Sequence, residues 1–184
     1  YVLRKHDAPA TFFIRTNNVH YNPNLLRAIA ADGNEIACHT DKHLQMTKYD
    51  SNSKKYVSIV NRDEYLLDLK VSYNTLASVV GDVEVNGHYA LTRFFRPPTL
   101  VISKVGLECV LDSGFDYIIE GYSTKDYTAE SYLKVRYSIE KQLYRDDGSL
   151  RKGSIFVLHM GNASAAISAE ALDVLLTKNE QKSD

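Results

Sequence analysis

The sequence lacks a charge excess, a long apolar run and all but two cysteines, and each absence removes a class of protein. Its 22 Lys and Arg against 23 Asp and Glu leave a formal net charge of -1. The basic residues are scattered, so no long-range field draws in nucleic acid or an anionic membrane, and no nucleic-acid partner is expected. No apolar stretch approaches the length of a membrane span, and Tyr1 to Asp7 lack the charged-then-apolar pattern of a signal peptide. Cys38 and Cys109 form neither a Cys-x-x-Cys metal motif nor a disulfide framework. Both sit among apolar residues and are expected to be buried free thiols. No internal repeat or flexible linker divides the 184 residues, and 44% hydrophobic with 24% charged residues suits an ordinary globular chain with one core. A single domain is therefore expected over residues 1–184.

What is present reads as strands alternating with helices. Ala10 to Ile14 is a short apolar run of strand character, and Asn22-Pro23 starts a helix with a capping side chain and proline at its first position. Leu25, Leu26 and Ile29 make its buried stripe, and Gly33 stops it. Ile36 to Cys38 is the next strand, and the polar stretch Thr47 to Tyr56 has no periodicity and reads as a surface loop. Asn61 and Glu64 open a long helix in which Leu66, Leu69, Tyr73, Leu76 and Val80 recur at steps of three and four until Gly81. Asn86-Gly87 predicts a hairpin. Leu91 to Phe95 is a strand that Pro97-Pro98 terminates, and Ser103 caps a helix to about Ser113. Phe115 to Glu120 reads as a strand, Gly121 to Thr128 as a loop, Ala129 to Leu143 as a helix, Gly153 to His159 as a strand, and Ser168 to about Lys178 as the last helix. This alternation predicts an α/β fold, with parallel strands joined by crossover helices in a barrel or a doubly wound sheet.

The residues with chemical potential fall after strands. His39 and His43, in Cys38-His39-Thr40-Asp41-Lys42-His43, are four apart, and on one helical turn two such imidazoles point at the same metal ion. Arg96, Asp126 and His159 follow later strands, and parallel strands bring their carboxyl ends to one face. Convergence of these positions is expected. Taken singly, the histidine pair also reads as two surface or core side chains, His159 as a buried histidine near a strand end, Asp126 as a loop aspartate, and Arg96 as a salt-bridged surface residue.

Ordered along the chain are Ala10-Thr11-Phe12-Phe13, Asp32-Gly33-Asn34-Glu35-Ile36 leading into His39-Thr40 and His43, Phe95-Arg96-Pro97-Pro98, Gly114-Phe115-Asp116, Asp126-Tyr127, and Val157-Leu158-His159. In these motifs the chain resembles the polysaccharide deacetylases of carbohydrate esterase family 4, the NodB-homology domain. The resemblance implies a distorted (β/α) barrel. It also implies removal of acetyl groups from N-acetylglucosamine or acetylated xylose units, using a divalent metal held by Asp-His-His. By resemblance His39 and His43 are the imidazole ligands, with zinc the expected metal and cobalt or nickel also fitting. His159 would be the general acid, Asp126 would orient it and raise its pKa by opposite charge, and Arg96 would hold the catalytic carboxylate. Pro98 and the backbone N–H of Thr99 would sit at the oxyanion, Val157 would line the acetyl-methyl pocket, and Tyr127 would wall the sugar groove. An acetylated extracellular or cell-wall glycan is the implied partner, and a secreted or cell-envelope location follows from the resemblance alone.

The sequence also departs from the family. Tyr127 stands where Trp is usual, Thr99 where Tyr is frequent, and Ser123 replaces a common acidic residue, which bears on groove shape and substrate choice. The family's first motif, Thr-Phe-Asp-Asp, carries the general base and the carboxylate metal ligand on the first barrel strand, and neither aspartate is in these 184 residues. The expected polypeptide is thus a deacetylase domain truncated at its N-terminus, without the first strand and inactive alone. A non-catalytic carbohydrate-binding protein of the same fold and a xylan O-acetyl esterase are the alternatives. The sequon Asn162-Ala163-Ser164 is too short a pattern to carry a glycosylation argument.

Overall fold

Local capping chemistry sets several of the element boundaries in the computed structural model. It describes residues 1–161 and 163–183, without the side chains of 182 and 183, so Asn162 of the sequon lies outside the described residues. Helix α1 (Val2–Lys5) precedes strand β1 (Thr11–Ile14). Asn22 Oδ1 accepts the Leu25 N–H at 3.2 Å to start α2 (Pro23–Ala31), where proline loses no helical bond. Gly33, at φ +89°, turns the chain into β2 (Glu35–Cys38).

The stretch expected as a loop after Thr47 is instead an antiparallel hairpin of β3 (Thr47–Asp50) and β4 (Lys55–Ser58). Both of its faces are largely exposed, so no apolar alternation marks it. Tyr49 and Tyr56 stand directly opposite, with ring centroids 5.5 Å apart, and supply the cross-strand contact.

Asn61 accepts the Glu64 N–H at 3.2 Å at the start of α3 (Arg62–Val80). The expected hairpin follows as β5 (Glu84–Val85) and β6 (His88–Tyr89), with Asn86 and Gly87 at φ +54° and +81°. Strand β7 (Leu91–Phe95) has the expected bounds, and Ser103 caps α4 (Lys104–Asp112) by accepting the Gly106 N–H. Then come β8 (Tyr117–Ile118), β9 (Tyr122–Ser123), α5 (Tyr132–Leu143), β10 (Phe156–Val157) and α6 (Ala165–Ser183).

The later strands are shorter than expected because pairing, not apolarity, sets their length. Only Tyr117 and Ile118 have register partners on β7, and the segment expected as a loop supplies β9 as the partner of β10. Helix α5 starts at Tyr132, not Ala129. Helix α6 starts at Ala165, before the expected Ser168, whose hydroxyl donates to Asp126 Oδ2 and also reaches Ser164 O.

The chain divides into two compact units, residues 9–120 and residues 1–8 with 121–184. The first holds a sheet in the order β1-β2-β7-β8 with every pair parallel, as the strand-helix alternation predicts. Its core gathers Leu26, Ile36, Leu69, Leu76, Val80, Phe95 and Val110. The register places His39 and Arg96 side by side at the carboxyl ends: His39 N–H donates to Ile14 O at 3.1 Å, and Arg96 N–H to Cys38 O at 3.1 Å. Among the described residues β1 pairs only with β2, so it is a sheet edge.

The second unit pairs β9 with β10 in parallel and packs α5 on α6 through Val135, Ile139, Ala171 and Leu175. Helix α1 joins it through His6, whose side chain is 2% exposed. Nε2 of His6 lies 2.6 Å from Asp173 Oδ1, and Nδ1 lies 2.7 Å from Glu180 Oε1. Carboxylates only accept, so both ring nitrogens carry protons and the imidazolium is the bound form. The hydrogen bonds to Asp173 and Glu180 raise the His6 pKa against burial and the nearby Lys5. A raised folded-state pKa gives stability that is complete below the ordinary value near 6.5 and is lost as pH rises through the folded value. In urea melts, His6→Gln is therefore expected to lower the midpoint at pH 6 and to converge with the parent protein at pH 9.

Candidate functional site

His39 enters its position straight from β2, and its Nδ1 lies 2.7 Å from the backbone oxygen of Arg96. A carbonyl can only accept, so Nδ1 carries the proton and the lone pair resides on Nε2. That is the tautomer in which metal-ligating histidines are commonly held. The His43 ring stands 5.0 Å from that of His39, centroid to centroid, at 69°. The pair is not on a helical turn. Thr40 and His43 have φ of +65° and +60°, which interrupts any helix, and the segment between them is a loop.

That loop is tied on two sides. Buried Thr40 accepts the Leu44 N–H at Oγ1, while Thr16 donates its hydroxyl to Asp41 Oδ1 at 2.8 Å. From α3, Asp68 accepts the backbone N–H of Asp41 at 2.7 Å and of Lys42 at 3.0 Å. Burial pushes the Asp68 carboxyl up from the usual carboxylate range, against the pull of those two donors. One turn along α3, Ser72 Oγ meets Cys38 Sγ at 3.1 Å. Burial raises the Cys38 thiol to about 11, so it stays protonated at neutral pH; Cys38 and Cys109 are both free and buried, as expected.

Arg96 is buried, not a salt-bridged surface residue. Its Nε donates to Ile119 O at 3.0 Å, its Nη2 to Glu120 O at 3.4 Å, and its guanidinium carbon lies 4.0 Å from the centre of the Phe13 ring. Burial lowers its pKa to about 10. Among the described residues no carboxylate lies within ion-pair reach of it. Beyond it the chain makes a tight turn over Pro98–Leu100, with Pro98 buried, Thr99 exposed and Thr99 at φ +65°.

In the other unit, Asp126 is wholly buried and organises His159. Oδ1 of Asp126 lies 2.7 Å from His159 Nδ1, and Oδ2 accepts the His159 backbone N–H at 2.7 Å and the Ser168 hydroxyl at 2.7 Å. The Thr124 hydroxyl shares its proton between Asp126 Oδ1 at 3.2 Å and Val157 O at 2.9 Å. Burial opposes ionisation of Asp126, but the His159 and Ser168 donors outweigh it and hold the carboxyl at about 2. The His159 side chain is 42% exposed, and the Tyr127 ring stands 5.0 Å from it, edge to face. Val157 is buried in β10, two residues before His159.

Of the residues expected from sequence, His39, His43, Arg96, Pro98 and Thr99 thus fall in the 9–120 unit, and Asp126, Tyr127, Val157 and His159 in the other. Sequence reasoning missed Asp68, Ser168 and Thr124. Asp68 and Ser72 share the buried stripe of Tyr65, Leu69 and Leu76, and Ser168 shares that of Ala171 and Leu175, so a polar residue on an apolar stripe was the available signal. Among the described residues no group of three His, Cys, Asp or Glu side chains could hold a metal ion. The His39–His43 pair nevertheless fits one: two imidazoles, one fixed in the ligating tautomer, suit a borderline divalent cation that takes its remaining ligands elsewhere. No helix among the described residues is long and apolar enough to cross a membrane.

Known structures place this architecture among the carbohydrate esterase family 4 folds. A pseudoenzyme of that family from Bacillus anthracis is 20% identical with a TM-score of 0.75, covering 98% of this chain and 54% of that one. A family 4 acetyl xylan esterase from Clostridium thermocellum, in complex with a cobalt ion, is 17% identical with a TM-score of 0.74, covering 98% and 75%. In sequence, residues 1–118 match the polysaccharide deacetylase family, and the chain belongs to it. A peptidoglycan-N-acetylglucosamine deacetylase of Bacillus cereus is 28% identical over 129 residues, which is 70% of this chain and 40% of that protein. The chain spans less than half the length of the curated relatives it matches.

Proposed function

We propose that residues 1–184 form most of the single catalytic domain of a metal-dependent hydrolase that removes acetyl groups from an N-acetylglucosamine-containing polysaccharide. The observation that carries the reading is the Nδ1 contact of His39 with Arg96 O, which fixes the ligating tautomer beside a second imidazole in a member of this family. Peptidoglycan or a chitin-like glycan is the substrate class, supported by the activity for which the Bacillus cereus relative is named, and a secreted or envelope location follows from that substrate.

His39 and His43 hold the metal, zinc in the first place and cobalt or nickel as alternatives. When bound, it supplies Lewis-acid polarisation of the acetyl carbonyl and of a water. His159 presents Nε2 to the leaving amine, because its Nδ1 is engaged by Asp126, and it is the imidazolium form that gives up the Nε2 proton. Asp126 orients that ring through two bonds to one residue. Arg96 holds the catalytic carboxylate, and Pro98 with the Thr99 N–H serves the oxyanion. Val157 receives the acetyl methyl, and Tyr127 packs on the sugar.

Residues 1–184 with added zinc are expected to release no acetate from chitooligosaccharides, because the sequence holds neither aspartate of Thr-Phe-Asp-Asp. Turnover at an intact enzyme's rate would overturn that expectation. A second reading, a non-catalytic carbohydrate-binding protein, is favoured by one observation: the Arg96 guanidinium meets carbonyls and the Phe13 ring but no carboxylate of the described residues. A Thr-Phe-Asp-Asp run encoded upstream of Tyr1 supports the enzyme, and a coding sequence without one supports the binder.

A further inference from the structure

Two non-glycine residues in the left-handed region, Thr40 and His43, bracket a loop of only two residues, Asp41 and Lys42. Such a backbone persists only where its surroundings over-determine it. The surroundings here include a carboxylate in an unexpected place. Asp68 lies on the stripe of α3 that buries Tyr65, Leu69, Leu76 and Val80, and it is 6% exposed. A carboxylate on an apolar face is tolerated when its oxygens are satisfied, and both oxygens of Asp68 are: one takes the Asp41 N–H at 2.7 Å, the other the Lys42 N–H at 3.0 Å. The two amides are those between the left-handed residues.

We propose that Asp68 is a positioning residue that holds the His39–His43 loop in its metal-ligating shape by gripping the two peptide N–H groups between the imidazoles. The inference rests on the reading of His39 and His43 as metal ligands. The role assigned to Asp68 is to hold the loop and not to bind the ion: each of its oxygens accepts a backbone amide of the loop. It acts on the geometry of His43. The Cys38–Ser72 contact fastens the strand just before His39 to the same helix, one turn further along. Helix α3 therefore addresses the approach to the first imidazole with Ser72 and the approach to the second with Asp68. Thr16 secures the opposite side of the loop through Asp41 Oδ1 and Thr40 O.

The test is zinc titration calorimetry on residues 1–184 and on Asp68→Asn, at a temperature where circular dichroism shows both folded. Asn keeps the shape of the side chain but replaces one acceptor oxygen with a donor. Its zinc affinity is expected to fall by about 10-fold or more, the range seen when groups that orient metal ligands are removed. An unchanged affinity in folded Asp68→Asn overturns the proposal and leaves the metal reading standing. Absence of zinc binding by the unsubstituted chain overturns the metal reading and the proposal with it. A second measurement needs no variant: amide exchange in the unsubstituted protein is expected to be slow at Asp41 and Lys42, matching the interior of α3. Fast exchange at those two amides overturns the proposal however Asp68→Asn folds.

Discussion

His43→Asn is expected to reduce zinc binding by roughly a hundredfold or more while leaving the unfolding midpoint nearly unchanged. Structural zinc sites with four protein ligands bind with about 10–16 kcal/mol, so one ligand accounts for roughly 3 kcal/mol, or about two orders of magnitude in affinity. Asparagine is chosen because position 43 has φ +60°, a region that Asn enters at little penalty and Ala does not. The substitution therefore removes the imidazole without disturbing the loop, and a half-exposed side chain at this point contributes within about 0.5 kcal/mol to stability. Calorimetric titration with zinc beside a urea melt separates the two quantities. Equal zinc affinity in the parent and the variant would remove His43 from the ligand set.

Asp126→Ala is expected to be the most destabilising single change at the site, by roughly 3–5 kcal/mol, because it strips the acceptor from a buried cluster of donors. The His159 N–H loses its partner, the Ser168 hydroxyl is left with only Ser164 O at 3.2 Å, and the His159 ring loses its anchor. Asp126→Asn keeps the volume and one acceptor and is expected to cost roughly 1–3 kcal/mol. The pH dependence follows from the direction of the shift. The folded-state carboxyl lies at about 2 against an ordinary value of 3.8, so the ionised form is favoured by folding. Its contribution, roughly 2–3 kcal/mol, is complete above pH 4 and fades as pH falls through 4 toward 2. Urea melts of the parent protein between pH 7 and pH 2.5 are expected to show this loss, and melts of Asp126→Asn to lack it.

Features fixed by neighbouring residues were legible in the sequence. The caps at Asn22, Asn61 and Ser103 and the Asn86-Gly87 turn each depend on a contact no more than three residues away, and all lie where expected. The placement of His39 and Arg96 was legible as well, because parallel strands leave no choice about which ends lie together. What depended on distant contacts was not. The path from His39 to His43 is bent by Thr16 and Asp68, far from it in sequence, and so it departs from the helical turn that the spacing suggests. The last helix was expected from Ser168, yet it begins at Ala165, and Asp126, 42 residues earlier, takes the Ser168 hydroxyl. The β3–β4 hairpin buries too little on either face to leave a pattern.

Cys38, immediately before His39, illustrates how solvation selects a donor. Sulfur is a stronger zinc ligand than imidazole once it has lost its proton, and an exposed cysteine at this place would compete for the ion. Sealed beneath α3, with its sulfur against Ser72 and its pKa near 11, it keeps that proton. On the proposed reading of His39 and His43 as ligands, a cation arriving at the loop therefore meets imidazole nitrogen and no thiolate sulfur, and a peroxide or alkylating agent finds no thiolate beside the histidines.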